Sequence, residues 1–152
     1  MESTVKKKIG IMGGTFDPIH IGHLILAQAA YEALGLDCVL FMPAGNPPHK
    51  RNRKIDVTNE QRVHMVRLAI EDDDRFALDI REILKEDYSY TYETLRDISA
   101  EHPENDYYFI IGGDSLRDFH TWTNPEEIVK YGHIVASGRP GVEEELDALI
   151  QR

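Results

Sequence analysis

Ile9-Gly10-Ile11-Met12-Gly13-Gly14-Thr15-Phe16-Asp17-Pro18-Ile19-His20-Ile21-Gly22-His23 is followed directly by Leu24-Ile25-Leu26-Ala27-Gln28-Ala29-Ala30. Ile9 to Met12 reads as a short buried strand and the residues after His23 continue a helix, so the glycine pair falls at a strand-to-helix turn. Gly13 and Gly14 lack Cβ atoms, can take positive φ and can open a concavity lined with backbone N–H groups. The helix start adds N–H groups that have no intrahelical partner and suit an anion. Asp17 before Pro18 matches a helix N-cap with proline in the first helical position, a reading preferred to metal binding. His20 and His23, three residues apart, share one face at the helix entrance, where each can donate a charge-assisted hydrogen bond to phosphate. The arrangement suits a polyphosphate.

Outward from this turn, strand-like and helix-like runs alternate. Strands are expected at Lys8–Met12, Cys38–Pro43, Phe76–Ile80, Tyr107–Ile111 and His133–Ser137. Helices are expected at Ile21–Leu34 (ending at Gly35), Asn59–Glu71, Tyr92–Ala100 and Pro125–Tyr131, with loops at Ala44–Val57 and Glu101–Asp106. Such alternation specifies an α/β fold: a Rossmann-like, doubly wound parallel sheet of about five strands with helices on both faces. Near-continuous apolar runs such as Tyr107-Tyr108-Phe109-Ile110-Ile111 fit strands buried on both sides. Ligands of such sheets sit outside the carboxyl ends of the strands. Gly13 to His23, Gly45 to Lys54, Gly112-Gly113-Asp114-Ser115 and Ser137-Gly138-Arg139 all fall there.

The 152 residues form one expected domain, residues 1–152, with ordinary globular proportions of 41% hydrophobic and 29% charged residues. A net charge of −10 argues against binding nucleic acid or an anionic membrane surface. No run reaches membrane-spanning length, and the charged start leads straight into a strand, so the expected location is cytoplasmic. Cys38, the single cysteine, sits in an apolar run and reads as a buried free thiol. Against the acidic background, His49-Lys50-Arg51-Asn52-Arg53-Lys54 after Pro47-Pro48 reads as a local attractor for a small anionic substrate, with a solvated loop as the alternative. Asp114 and Ser115 can cap a helix or accept from ribose hydroxyls. Trp122, in a polar stretch, serves either packing or stacking against a planar ring. Tyr88, Tyr90, Thr91 and Tyr92 form a Tyr/Thr-rich segment ahead of a helix. Neither the dinucleotide-binding glycine pattern nor a P-loop is present, and no nucleophile elbow surrounds Ser137.

The stretch Gly-Gly-Thr-Phe-Asp-Pro-x-His-x-Gly-His resembles the signature of the nucleotidyltransferase superfamily. Pro47-Pro48-His49-Lys50, Ser89-Tyr90-Thr91, Ile110-Ile111-Gly112-Gly113-Asp114-Ser115, Trp122 and Arg139-Pro140-Gly141 follow in the order seen in the bacterial nicotinate-nucleotide adenylyltransferases. The resemblance covers residues 8 to 141. It implies transfer of AMP from ATP to nicotinate mononucleotide, giving deamido-NAD and pyrophosphate, by direct in-line attack without a covalent intermediate. It further implies that Gly13, Gly14, Thr15 and Phe16, with His20 and His23, hold the ATP phosphates and the reacting α-phosphoryl group. Gly112, Asp114 and Ser115 would face the adenosine, with Arg139 near the adenine. Thr91 and nearby backbone would receive the nicotinate carboxylate, Tyr90 would belong to the same substrate site, Trp122 would lie against the pyridine ring, and His49 and Lys50 would attend the mononucleotide phosphate. Mg²⁺ would arrive with ATP, held by phosphates and water, with no metal site built by the protein. A late Ile-Ser-Ser/Ala-Thr-x-Ile-Arg motif of the family has no counterpart here, which leads to the expectation of a C-terminally truncated domain. Ala44 and Gly45 stand where some members carry asparagine. Other transferases of the superfamily, of phosphopantetheine, cytidylyl or nicotinamide mononucleotide type, share the first motif. An inactive nucleotide-binding module is the alternative of a different class.

Overall fold

The computed structural model describes residues 7–14, 16, 19–45, 58–85, 90–112 and 125–136. Its elements run β1 (Lys7–Gly14), α1 (Ile21–Leu34), β2 (Cys38–Pro43), α2 (Asn59–Ile70), β3 (Phe76–Leu78), α3 (Thr91–Glu101), β4 (Asn105–Ile111), α4 (Pro125–Tyr131) and β5 (His133–Ala136). The five strands form one sheet in the order β3-β2-β1-β4-β5, every neighbouring pair parallel. From β1 the chain first moves to one side through β2 and β3, then returns to the other side for β4 and β5. The switch point lies between β1 and β4, where a doubly wound sheet leaves a crevice at its carboxyl edge.

Side chains alternate across this sheet. Ile9, Ile11, Met42, Tyr107, Phe109 and Ile111 face one layer with Leu95 and Ile98 of α3 and Ile128 of α4. Met12, Val39, Phe41 and Ile110 face the opposite layer with Ala27 and Ala30 of α1 and Val66 and Ile70 of α2. Both faces are apolar because both are covered, which is why the strands read as continuous hydrophobic runs. Ser99 Oγ donates to the Tyr131 carbonyl at 3.1 Å and ties α3 to α4. The Lys8 N–H donates to Asp37 Oδ2 at 2.7 Å, and the Asp37 N–H to the Lys8 carbonyl at 2.7 Å, fixing the entry of β2 beside β1.

Helix ends follow local chemistry. Gly35, with φ of 62°, terminates α1 in the left-handed conformation. Thr58 and Gln61 form a reciprocal cap at the start of α2, with bonds of 2.9 and 3.1 Å. The expected loop at Glu101–Asp106 is shorter than its sequence suggests: α3 continues to Glu101 and β4 begins at Asn105. Pairing beside β1, where Lys7 and Lys8 sit opposite Asn105 and Asp106, draws these polar residues into the ladder. At the other end β3 stops at Leu78, two residues before the expected Ile80. Cys38 is half-buried rather than buried, and burial pushes its thiol pKa up, so it is a packing residue with little thiolate.

Phe41 joins core and edge. It is fully buried, meets Phe76 edge-on with centroids 5.2 Å apart and lies 6.0 Å from the Phe16 ring. Replacing Phe41 with Ala should cost about 3–5 kcal/mol, the range for emptying a buried aromatic site. Urea unfolding checks this, and a loss below about 1 kcal/mol would show that the layer collapses to fill the space.

Candidate active site

Gly14 is the last residue of β1, and its φ of 155° leaves open space where a side chain would project. Its carbonyl accepts from the Ala44 N–H at 2.8 Å, pinning the turn to the exit of β2. Gly13 is needed for a different reason than positive φ. A Cβ there would lie 3.2 Å from the Phe109 ring, so it lets β4 close in beneath the turn. Gly112 follows β4 on the other side of the switch point.

Phe16 carries φ of 52° and is the one non-glycine residue with positive φ among those described. A left-handed conformation at such a residue costs of order 1–3 kcal/mol and is kept where surrounding structure enforces it. The Phe16 ring is 3% exposed and belongs to the core layer of α1 and α2. Its outer edge meets the His23 ring in a T-shaped contact with centroids 4.9 Å apart. The side chain is thus turned into the core, which leaves the Phe16 backbone as the part at the turn.

The helix entrance departs from expectation. α1 starts at Ile21 and its N-cap is His20, not Asp17. The Gly22 N–H donates to His20 Nδ1 at 3.1 Å, while the His20 N–H donates to His23 Nδ1 at 3.0 Å. The two histidines thus form a reciprocal capping box, the arrangement usually made by Ser or Thr with Glu or Gln. Their rings lie 3.9 Å apart with planes inclined by 31°. An imidazole whose Nδ1 accepts from a backbone N–H carries its proton on Nε2, so each ring keeps one N–H donor for a ligand. Burial and then the neighbouring His20 push the His23 imidazole below the ordinary value of 6.5. A lowered pKa favours the neutral ring at neutral pH, and a bond from its N–H to an anionic phosphate remains charge-assisted through the acceptor.

Gly22 belongs to this device, and the spacing of the motif is the signal for it. A Cβ at Gly22 would lie 2.8 Å from His20 Cε1 and 2.9 Å from Nδ1, closer than real contacts allow. Only glycine lets the imidazole lie across the first turn.

Tyr90 is the N-cap of α3 and makes no side-chain cap bond, and Thr91 is the first residue of that helix. The Tyr90 and Tyr92 rings stand 6.1 Å apart. Both Tyr90 and Thr91 are half-buried, on the edge that also carries the ends of β1, β2 and β4. Arg62 is fully buried near the start of α2 and donates to Asn59 Oδ1. Sequence reasoning passed over it because an arginine in a polar helix start reads as exposed. Thr15, Asp17, Pro18, His49, Lys50, Asp114, Ser115, Trp122 and Arg139 lie outside the described residues. Among the described residues no group of three or more His, Cys, Asp or Glu could hold a metal ion. No helix among them is long and apolar enough to cross a membrane.

The chain is similar to proteins of known families. Residues 11–151 match the family model described as cytidylyltransferase-like. A protein of Listeria innocua named "Probable nicotinate-nucleotide adenylyltransferase" is 44% identical over 142 residues, which are 93% of this chain and 75% of that one. A Clostridium perfringens protein of the same name is 50% identical over 136 residues, 89% of this chain and 66% of that one. Among solved structures, the Plasmodium falciparum nicotinic acid mononucleotide adenylyltransferase complexed with NaAD superposes with a TM-score of 0.76 at 20% identity, covering 96% of this chain and 72% of that one. The chain belongs to the cytidylyltransferase-like family.

Proposed function

We propose that this chain is a nicotinate-nucleotide adenylyltransferase, transferring AMP from ATP to nicotinate mononucleotide and releasing pyrophosphate in the making of deamido-NAD. The observation that carries the reaction type is the paired histidine cap at the switch point, which presents two N–H donors beside an open glycine turn. The substrate pair is supported by the names and identities of the relatives. A single domain in the cytoplasm belongs to the same proposal.

The mononucleotide phosphate already carries negative charge, so its oxygen attacks the α-phosphorus in line and pyrophosphate leaves without a covalent enzyme intermediate. The chain's part is to position both substrates and to stabilise charge on the reacting phosphoryl oxygens. His20 and His23 donate from Nε2. The backbone at Gly13, Gly14, Thr15 and Phe16 offers further N–H groups. Because the cap bonds fix both rings before ATP arrives, little reorganisation is needed during transfer. Tyr90, Thr91 and the free N–H groups of the first α3 turn take the nicotinate carboxylate, aided by the helix dipole. Gly112, Asp114, Ser115 and Arg139 take the adenosine, His49 and Lys50 the mononucleotide phosphate, and Trp122 the pyridine ring.

Mg²⁺ completes this proposal. The described edge offers N–H donors and no carboxylate cluster, a donor set that suits an ion held by ATP phosphates and water. Bound there, the ion would neutralise phosphate charge, while the residues named above orient and hold the nucleotide.

Incubating the protein with ATP, Mg²⁺ and nicotinate mononucleotide should release pyrophosphate; binding of both nucleotides without release would instead identify a non-catalytic module. His23→Ala should lower kcat by about 10²–10³, the loss seen when one preorganised donor is removed, with the circular-dichroism spectrum retained. Gly22→Ala should lower kcat by about 10²-fold, since small misplacements of a catalytic group carry that penalty. A kcat equal to wild type would show that His20 needs no room at Gly22.

The lowered folded pKa of His23 also gives a pH signature. Folding favours the neutral ring, so its contribution to stability is present above the ordinary value of 6.5 and is lost as pH falls through the lowered folded value. His23→Gln, which retains a side-chain acceptor for the His20 N–H, should lack this acid-side loss in urea titrations run across that window. An identical acid-side profile in the variant would remove His23 as its source.

A further inference from the structure

Resting on the substrate assignment above, we propose that Glu82 is a positioning residue for the mononucleotide, holding the first turn of α3 against the exit of β2 through Thr94. The observations come from the connection 79–85 that follows β3. It begins by extending the sheet edge, where the Asp79 N–H donates to the Phe41 carbonyl at 2.9 Å. It then crosses the end of β2 so closely that a Cβ on Gly45 would lie 2.3 Å from the Glu82 carbonyl oxygen and 3.1 Å from Ile83 Cα. Backbone against backbone at that distance leaves room only for glycine.

From that crossing the connection reaches α3 by three side chains. Arg81 pairs with Glu101 at the far end of the helix, at 2.9 and 3.2 Å. Lys85 pairs with Glu93 at 2.7 Å. Thr94 Oγ1 donates to Glu82 Oε2 at 2.6 Å. The first two pairs are partly exposed and screened by solvent, which leaves them small effects. The Thr94 contact is different. Thr94 is buried, and a hydroxyl bonded to a carboxylate in a dry setting is a short, strong contact. Burial pushes the Glu82 carboxyl pKa up, against the pull of the Thr94 hydroxyl and Lys85, so keeping a carboxyl here is costly.

Thr94 lies in the first turn of α3, where its N–H donates to the Tyr90 carbonyl at 3.1 Å. Moving Thr94 therefore moves the helix start that Tyr90 and Thr91 share. Glu82 meets no substrate atom in this account; it acts through Thr94 and the α3 N–H groups on one side and Gly45 on the other. Its effect should fall mainly on one substrate, because the start of α3 is assigned to the mononucleotide and the ATP phosphates to the β1–α1 turn.

Steady-state kinetics with each substrate varied in turn test this on the full chain. Glu82→Ala and Thr94→Val should each raise KM for nicotinate mononucleotide about tenfold, the scale of one lost hydrogen bond, while KM for ATP stays within about twofold. The double variant should be no worse than the poorer single one, and Glu82→Gln, which keeps an acceptor for the Thr94 hydroxyl, should restore KM. Equal rises in both KM values, an unchanged mononucleotide KM, or a Glu82→Gln variant as poor as Glu82→Ala would each overturn the positioning role. If Glu82→Ala does not fold, the Thr94→Val kinetics decide by the same criteria. Wild-type protein that releases no pyrophosphate rejects the assigned reaction and this role with it, whereas normal wild-type turnover with unshifted variants rejects the positioning role alone.

Discussion

The first turn of α1 leaves backbone N–H groups without intrahelical partners, and the way they are satisfied governs the rest of the edge. A serine or threonine cap would satisfy them with a hydroxyl whose remaining O–H donor rotates freely. Here two imidazoles do it reciprocally, His20 accepting from Gly22 and His23 providing the acceptor for the His20 N–H. One nitrogen of each ring is committed to the helix, and the other remains a donor. The same bonds that start the helix select the tautomer, so a folding interaction sets the chemistry of the proposed phosphate site.

The surrounding structure keeps that cap in place. Phe16 reaches from its left-handed position into the core, braced on Phe41 and touching His23 with its outer edge. The strain at Phe16 is held by packing in the α1/α2 layer, so the rigidity of the sheet is transmitted to an imidazole at its rim. Gly22 supplies the space for the other ring. On the opposite side of the sheet the bonds are longer-range. Gly45, Glu82 and Thr94 join β2, the connection after β3 and the start of α3 across sequence separations that no helix or hairpin rule covers.

These differences explain what the sequence made legible. Strands buried on both faces leave continuous apolar runs, so β2 and β4 stand out, and Gly35 marks the end of α1 by its chemistry alone. The glycine turn and both histidines were readable because their spacing places them at a strand-to-helix junction. The identity of the cap was not readable. Asp17 before Pro18 carries strong local cap propensity, whereas histidines become caps only when Gly22 leaves one ring its room and Phe16 fixes the other. Glu82 was invisible for a related reason: within Asp79-Ile80-Arg81-Glu82-Ile83-Leu84-Lys85 it reads as one more solvated charge, and its bond to the buried Thr94 joins residues too far apart for any local rule.

In the proposed site the capping bonds hold both imidazoles as Nε2–H donors for the phosphates of ATP. Long-range ¹H–¹⁵N correlation spectra of histidine-labelled protein, assigned through His20 and His23 variants and recorded at mildly alkaline pH, test it directly. Both residues should show Nε2–H signals before ATP is added, with the Nε2 resonances moving on addition and the Nδ1 resonances holding their acceptor shifts. A proton on Nδ1 of either ring, or Nε2 signals indifferent to ATP, would contradict it.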